Sequence, residues 1–355
     1  MAAVPNPRAA TENSEPPAAA GDSKIGLLPI SGTLPLAERL TRLRTILREQ
    51  EAATRRGSDL SGIQSHLALG WPELHEAVLK DLGGFFAFVR APENEDVCEG
   101  LLSALAFAPG VSGPGTWGFR KIPAGVVKGI RDMIVSGTVR QMLVTSRIAL
   151  AMMDTAPGKC DSLLEPCLAL LSHDNPHLQS VGLEVLQARK PEQLEQTLPL
   201  IDKLWKTSED EDVRLPCLSS LAAAKCPAAD RIFFEKVWEV FLDPASKPSF
   251  SFFTNTLNEV RGKLLAGDAI DAERYSDLLG SAVRRAVDPP AYRSIVNTAL
   301  DLPLAKATVV LEQAIASAPD EESGAEVRKV LEQIHAGEVR AERLRLAIRA
   351  GGPLF

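Results

Sequence analysis

Two consecutive helical hairpins in the middle of the chain constrain its fold more than any other feature. They span residues 163–186 and 198–224. Each combines an apolar helix, a short polar turn with an acid at the break, and a second apolar helix. Leu164, Leu168 and Leu171 fall at positions i, i+4 and i+7, which predicts a helix with an apolar stripe. One structural unit is therefore repeated.

Prolines and a short charged motif recur at matching places in the two hairpins. Pro166 and Pro199 lie inside the predicted first helix of each unit, where proline removes a backbone hydrogen bond and bends the axis. The triplet Asp212-Val213-Arg214 opens the second helix of the second unit. Related triplets open other predicted helices at residues 96–98, 138–140, 177–179, 291–293 and 326–328. Their spacing, between 35 and 42 residues or about twice that, is typical of two-helix repeats.

This pattern resembles the HEAT repeat, which combines a kinked helix, a tight turn and an antiparallel second helix that opens on such a triplet. The resemblance covers roughly residues 70–335. It implies an all-α fold, an α-solenoid of antiparallel helix pairs in a HEAT-like superhelix. In the family, the Asp and Arg of the triplet form a ladder between neighbouring repeats. Gln179 and Cys98 stand where that ladder needs an arginine, so we expect it to be interrupted there.

The chain divides into four predicted parts. Residues 1–24 are rich in Ala, Pro, Glu and Ser without a period, which predicts a disordered leader. Residues 25–69 form an N-terminal capping helical segment, with Pro35 in the first turn of its helix. Residues 70–335 hold the HEAT-like repeats, and residues 336–355 a basic helix and a flexible tail. A transit peptide is less favoured at the N-terminus because the leader contains acids.

Composition and motifs favour a binding protein over an enzyme. The formal charge of −7 argues against a general nucleic-acid binder. Five cysteines without CxxC spacing predict reduced core thiols in a cytoplasmic protein, and no run is long enough to span a membrane. We find no HExxH, GxSxG or P-loop motif. His173 and His177 are four residues apart, but Pro176 predicts a turn there rather than a metal site.

The acids of the chain concentrate at the predicted turns within repeats. In a solenoid such turns lie along one edge, which would therefore be acidic. Capping of a helix N-terminus explains one acid per turn, but not the run Glu209, Asp210, Glu211 and Asp212. We therefore expect Glu209, Asp210 and Glu211 to bind a basic protein partner.

Three other places are candidate partner-binding surfaces. Trp117 lies in the glycine-rich stretch 109–118, which we interpret as a surface insertion. Phe252 belongs to a Ser-Phe-Ser-Phe-Phe run in which three aromatics cannot all point one way on a helix. Arg44 and Arg48 lie on a basic helix, either a terminal cap facing water or a docking helix for an acidic partner.

These patterns predict a non-enzymatic scaffold or adaptor with a protein partner and without catalytic, cofactor-binding or metal-binding residues. The alternative is an enzyme on the same architecture, because HEAT-like folds also include DNA glycosylases and bilin lyases. A glycosylase would need a basic concave face, and the arginines of the two terminal helices keep that alternative open.

Overall fold

The computed structural model describes residue 30 and residues 33–57, 61–105, 122–156, 158–244, 246–266 and 272–336. All regular secondary structure in these ranges is helical, so the described chain is all-α, as predicted. The first eight helices are α1 (Leu36–Arg55), α2 (Ser61–Lys80), α3 (Leu82–Arg90), α4 (Cys98–Leu102), α5 (Ala124–Ser136), α6 (Val139–Thr155), α7 (Leu164–Ala169) and α8 (Pro176–Arg189). The others are α9 (Leu198–Thr207), α10 (Glu211–Ala223), α11 (Pro227–Leu242), α12 (Phe250–Ala266), α13 (Ala272–Arg285), α14 (Pro289–Ala299), α15 (Leu304–Ala316) and α16 (Glu321–Ala336). Short 3-10 segments lie at Pro92–Val97, Ser103–Leu105, Asp161–Leu163, Leu170–Ser172 and Pro191–Thr197.

From α5 onward the helices pack in consecutive pairs, with α5 on α6, α7 on α8 and so on to α15 on α16. The second helices of the pairs also pack side by side, from α6 through α8, α10, α12 and α14 to α16. Among the first helices, α5 packs on α7, α11 on α13 and α13 on α15. Each pair therefore buries its apolar surface against the pair that follows it in sequence.

The second helix of every pair from α6 to α16 begins at a residue whose side chain accepts a backbone N–H of the first turn. Such a cap satisfies one of the donors that a helix N-terminus leaves without a partner. The caps are Thr138, Asn175, Asp210, Ser249, Asp288 and Asp320. Successive caps are 37, 35, 39, 39 and 32 residues apart, so a capping residue marks every pair, including the pair α11–α12, which has no triplet.

The triplet at residues 138–140 is out of register with the others. The central residues Val97, Val213 and Val327 are buried, whereas Val139 is 39% exposed. Thr138 and Gln141 form a reciprocal capping box, which places Val139 at the first position of α6. The buried position therefore falls on Gln141, whose side-chain amide donates to the Val89 carbonyl oxygen.

The described core consists of two apolar clusters that meet in α8. The N-terminal cluster includes Val181 and Val185, and the C-terminal cluster includes Leu183 and Leu186. α8 therefore has apolar contacts around most of its circumference. At Gly182 a Cβ atom would lie 2.9 Å from the backbone nitrogen of Leu171, so only glycine permits this close approach.

Pro72 lies inside α2, which runs without a break across the predicted boundary at residue 70. The prediction that two other prolines bend their helices is wrong. Pro166 and Pro199 lie in the first turns of α7 and α9, each preceded by a 3-10 segment. They do not bend the middle of a longer helix, because proline is tolerated where the N–H has no helical partner.

The cysteines of the described chain are free, and Cys98, Cys167 and Cys217 are buried in the core. Burial raises the pKa of Cys98 to about 11, and it raises the pKa of Cys167 and of Cys217 to about 12. These thiols therefore stay protonated and unreactive near neutral pH.

Across the described ranges, no helix combines the length and the apolar character that crossing a bilayer requires.

Candidate functional site

A cleft of about 400 Å³ opens where the turn between α9 and α10 meets the connection between α11 and α12. Four carboxylates and two cations line it, so its formal charge is −2. These residues are Glu209, Glu211, Glu239, Asp243, Arg214 and Lys247. Trp205, Val240, Pro248 and Phe252 supply its apolar wall.

Trp205 anchors the cleft to the core. Its side chain is only 3% exposed, and its indole Nε1 donates to a Glu239 carboxylate oxygen over 2.6 Å. The Arg214 guanidinium carbon lies 5.1 Å from the ring centroid, and the Lys236 Nζ lies 5.6 Å from it. Cation–π contacts of this kind link α9, α10 and α11 around one aromatic ring.

Arg214 stabilises the end of its own hairpin. Its Nε donates to the Ser208 carbonyl oxygen over 2.7 Å, and a terminal nitrogen lies 3.4 Å from the Trp205 carbonyl oxygen. These carbonyls lie at the C-terminal end of α9, where oxygens lack helical donors and a cation is favourable. No carboxylate of the described residues lies within ion-pair distance of Arg214, so this arginine is not part of an interrepeat ladder.

One expected ladder contact is present further along the chain. The Arg293 Nε lies 3.3 Å from a Glu326 carboxylate oxygen, which joins the triplet at 291–293 to the triplet at 326–328. Both side chains are more than a third exposed, and such pairs contribute about 0.2–1 kcal/mol. This pair therefore helps to set the register of neighbouring helices more than it stabilises them.

The four successive acids at the α9–α10 turn have different surroundings. Asp210 caps α10 by accepting the Asp212 N–H over 2.9 Å, and its other oxygen lies 3.5 Å from the His177 Nε2. Glu211 accepts the Ser249 N–H over 2.7 Å and also the Ser249 hydroxyl. Glu209 is exposed and makes no hydrogen bond or ion pair within the described ranges. Only part of this acidic run is therefore free to bind a partner.

Contacts connect the turns of successive pairs. The His177–Asp210 pair joins the start of α8 to the start of α10, and Glu211–Ser249 joins α10 to the start of α12. At the C-terminal ends of two first helices, an Arg285 guanidinium nitrogen of α13 donates to the Leu242 carbonyl oxygen of α11. We call this row of neighbouring turns the turn edge; it comprises residues 173–175, 208–210, 246–249, 286–288 and 317–320.

The structure brings three of the predicted partner-binding residues, Glu209, Glu211 and Phe252, together at one cleft. Phe252 is only 5% exposed and forms part of the C-terminal core, so it supports the cleft more than it presents a surface. Phe250 is 54% exposed and is the aromatic of this run that a partner would meet first. Trp117 lies outside the described residues.

Arg44 and Arg48 are occupied by contacts within the chain. Arg44 donates to the Asn94 side-chain oxygen over 2.8 Å and lies over the Phe88 ring. Arg48 donates to both carboxylate oxygens of Asp96, over 2.7 and 2.9 Å. Both arginines join α1 to the 3-10 segment Pro92–Val97. That they bind a partner stays a prediction.

The two spaced histidines do not form a metal site. Nδ1 of His173 accepts the Asn175 N–H within the turn, whereas His177 faces Asp210 of the next pair. Within the described ranges, no group of three or more His, Cys, Asp or Glu side chains is arranged to hold a metal ion.

Sequence reasoning missed Trp205, Arg214, Glu239 and Lys247 as members of the site. A usable signal was present for the first two, since a tryptophan and an arginine flank the acidic turn nine residues apart, a spacing that lets a cation reach the ring. Glu239 and Lys247 had no such signal because they belong to the next pair.

Comparisons with protein-family models, with curated proteins and with solved structures gave no match.

Proposed function

We propose that this protein is a non-enzymatic binding scaffold built as a HEAT-like α-solenoid, and that its turn edge binds a basic segment of a protein partner. The observation that carries the proposal is the cleft at the α9–α10 turn, where Glu209 has no partner within the described chain. An exposed carboxylate in a cleft of net negative charge attracts a cation.

The regular caps and the packing of each helix pair on the next support the solenoid part of the proposal. An array of this kind contacts only its neighbours and presents long continuous surfaces, which suit it for binding extended partners. The contacts between successive turns support the use of one edge as such a surface, since they hold neighbouring turns together.

Charge reversal at a single position tests the proposal. Glu209→Lys should abolish capture of partners that carry a basic segment, whereas Glu192→Lys should not. Glu192 is a matched control because it is also exposed and without a partner in the described chain, but it lies in the connection between two pairs. Reversing Asp210 or Glu211 is a poor test, because each also holds a helix start in place.

The measurement is quantitative capture from native lysate with the tagged full-length chain, followed by binding of the purified partner at two salt concentrations. The proposal expects a partner whose affinity falls as salt rises and is lost only with Glu209→Lys. Equal capture by all three proteins would remove the turn edge as the binding surface. Capture of nucleic acid alone would remove the protein-scaffold assignment.

A further inference from the structure

The cleft at the α9–α10 turn has room for a long side chain and a lining of carboxylates and apolar residues. Its volume of about 400 Å³ lies at the lower end of the range for ligand pockets. It is a concave feature rather than a flat acidic surface, because α11 and the 246–249 segment wall it opposite the turn.

Apolar residues line one side of the cleft. Val240 and Phe252 lie almost completely buried beneath it, and Pro248 beside them keeps part of its apolar surface exposed. Lysine and arginine bury their methylene stems against apolar surface and keep the charged end in water or near a carboxylate. The apolar side of the cleft can therefore contact the methylene chain of a lysine or arginine, and its carboxylates can contact the charged group.

The carboxylates of the cleft divide into fixed and available groups. Glu211 is held by Ser249, Glu239 by the Trp205 indole and by Lys236, and Asp243 also has a contact within the chain. Glu209 has no such donor in the described chain. Arg214 donates to backbone carbonyls and lies over the indole, and Lys247 is exposed and forms no ion pair with Glu209. A cationic ligand would supply the charge that Glu209 lacks.

We infer that this cleft binds a single lysine or arginine side chain of the basic partner, with its stem against Pro248 and its cation beside Glu209. The inference rests on the proposed function and names the element of the partner that the scaffold selects. Neighbouring partner residues would then lie along the turn edge.

The test uses N-acetyl-lysinamide and N-acetyl-argininamide as probes, with N-acetyl-norleucinamide as the neutral control. The readout is the NMR signal of the Trp205 indole N–H, assigned by its loss in Trp205→Phe. Because this N–H donates to Glu239 at the cleft, an occupied pocket moves the signal. At least one cationic probe should shift it with a Kd of about 1–10 mM, as expected for a single small side chain.

Two variants make the result specific. Glu209→Gln should weaken the cationic probe about threefold to fivefold, as for the loss of one exposed ion pair. Glu192→Gln should leave its affinity unchanged. No shift of the indole signal at about 50 mM probe, far above the expected Kd, would overturn the inference. So would an equal shift with norleucinamide, or equal affinity of Glu209→Gln and the parent protein.

The test separates this inference from the proposed function. If a partner is lost with Glu209→Lys but neither cationic probe shifts the indole signal, the scaffold proposal stands and the side-chain pocket is wrong. If a probe binds while all partners are captured equally by the Glu209 variant, the pocket exists but the turn edge does not select the partner.

Discussion

The junction of α1 with the segment Pro92–Val97 and the turn between α9 and α10 are both rich in charge, but they use it differently. At the junction, Arg48 and Asp96 form a two-bond pair, and Arg44 donates to Asn94, which is itself buried. At the turn, Glu209 is left without a partner in the described chain beside a cleft. The junction therefore uses its charge to join helices, whereas the turn leaves charge available to a ligand.

Trp205 is the buried aromatic residue below the charges of the turn, and its truncation should have the largest effect on the free energy of unfolding. Trp205→Ala should lower the free energy of unfolding by about 3–5 kcal/mol, because it removes a buried aromatic and leaves a cavity. Arg214 and Lys236 would also lose their ring contact. Urea denaturation followed by circular dichroism measures the change. A loss below about 1 kcal/mol would mean that the site relaxes around the truncation.

The junction should lose stability when its buried amide is removed. Asn94→Ala should cost about 2–3 kcal/mol, because the Phe88 carbonyl oxygen loses its donor over 2.6 Å and Arg44 loses its acceptor. The same denaturation measurement tests this. Glu99→Gln, an exposed change on the adjacent helix α4, should stay within about 0.5 kcal/mol of the parent. Equal values for the two variants would contradict the view of the junction as a fastened contact.

Two neighbouring acids at the turn should separate structural from available charge. Glu211→Gln should cost about 1–2 kcal/mol, because the amide cannot accept both Ser249 donors as a carboxylate does. Glu209→Gln should stay within about 0.5 kcal/mol, because its carboxylate has no partner in the described chain. Thermal and urea unfolding of the two variants give the comparison. If Glu209→Gln were the more destabilising, Glu209 would be structural and the binding proposals would lose their basis.

The smallest effect is the pH dependence of the Arg48–Asp96 pair. The hydrogen bond from Arg48 holds the pKa of the Asp96 carboxyl below its usual value. A carboxyl with a lowered folded pKa contributes stability above its unfolded pKa of about 3.9 and loses it as the pH falls through the folded pKa. Arg48→Gln should therefore cost more stability near pH 6 than at strongly acidic pH, where the Asp96 carboxyl is protonated and its attraction to Arg48 is already lost.

A double variant checks that this effect belongs to the pair. In an Asp96→Asn background, Arg48→Gln should cost the same at both pH values, since the titrating carboxyl is absent. A pH-dependent difference that persisted there would assign the effect to another group.

Local features of the fold could be predicted from the sequence. The burial of Leu40 and Leu43 on α1 follows from their spacing in the sequence, because the helix period alone places those residues on one face. The capping residues could have been found in the same way, since an N-cap acts on its own first turn. Pro72, by contrast, lies inside α2 although proline disfavours a helix interior, because its neighbours in the helix decide whether it is tolerated there.

The different roles of the acids at the α9–α10 turn could not be predicted from local sequence features. Glu209, Asp210 and Glu211 are alike as residues, and the sequence interpretation gave them one role. Their roles differ because Ser249, which holds Glu211, is 38 residues away in the chain. The same limit applied to Arg48, whose partner Asp96 is 48 residues away. No periodicity in the sequence specifies contacts at these separations.

By itself, the sequence determined that the chain would be helical, where its turns would lie, and that those turns would be acidic. It could do so because helix period, capping and turn chemistry act over a few residues. The tertiary structure decided which charged side chains form contacts within the chain and which are left to bind a ligand, and it placed Trp205 under the cleft. Those outcomes depend on how one helix pair packs on the next, and packing joins residues that are distant in the chain.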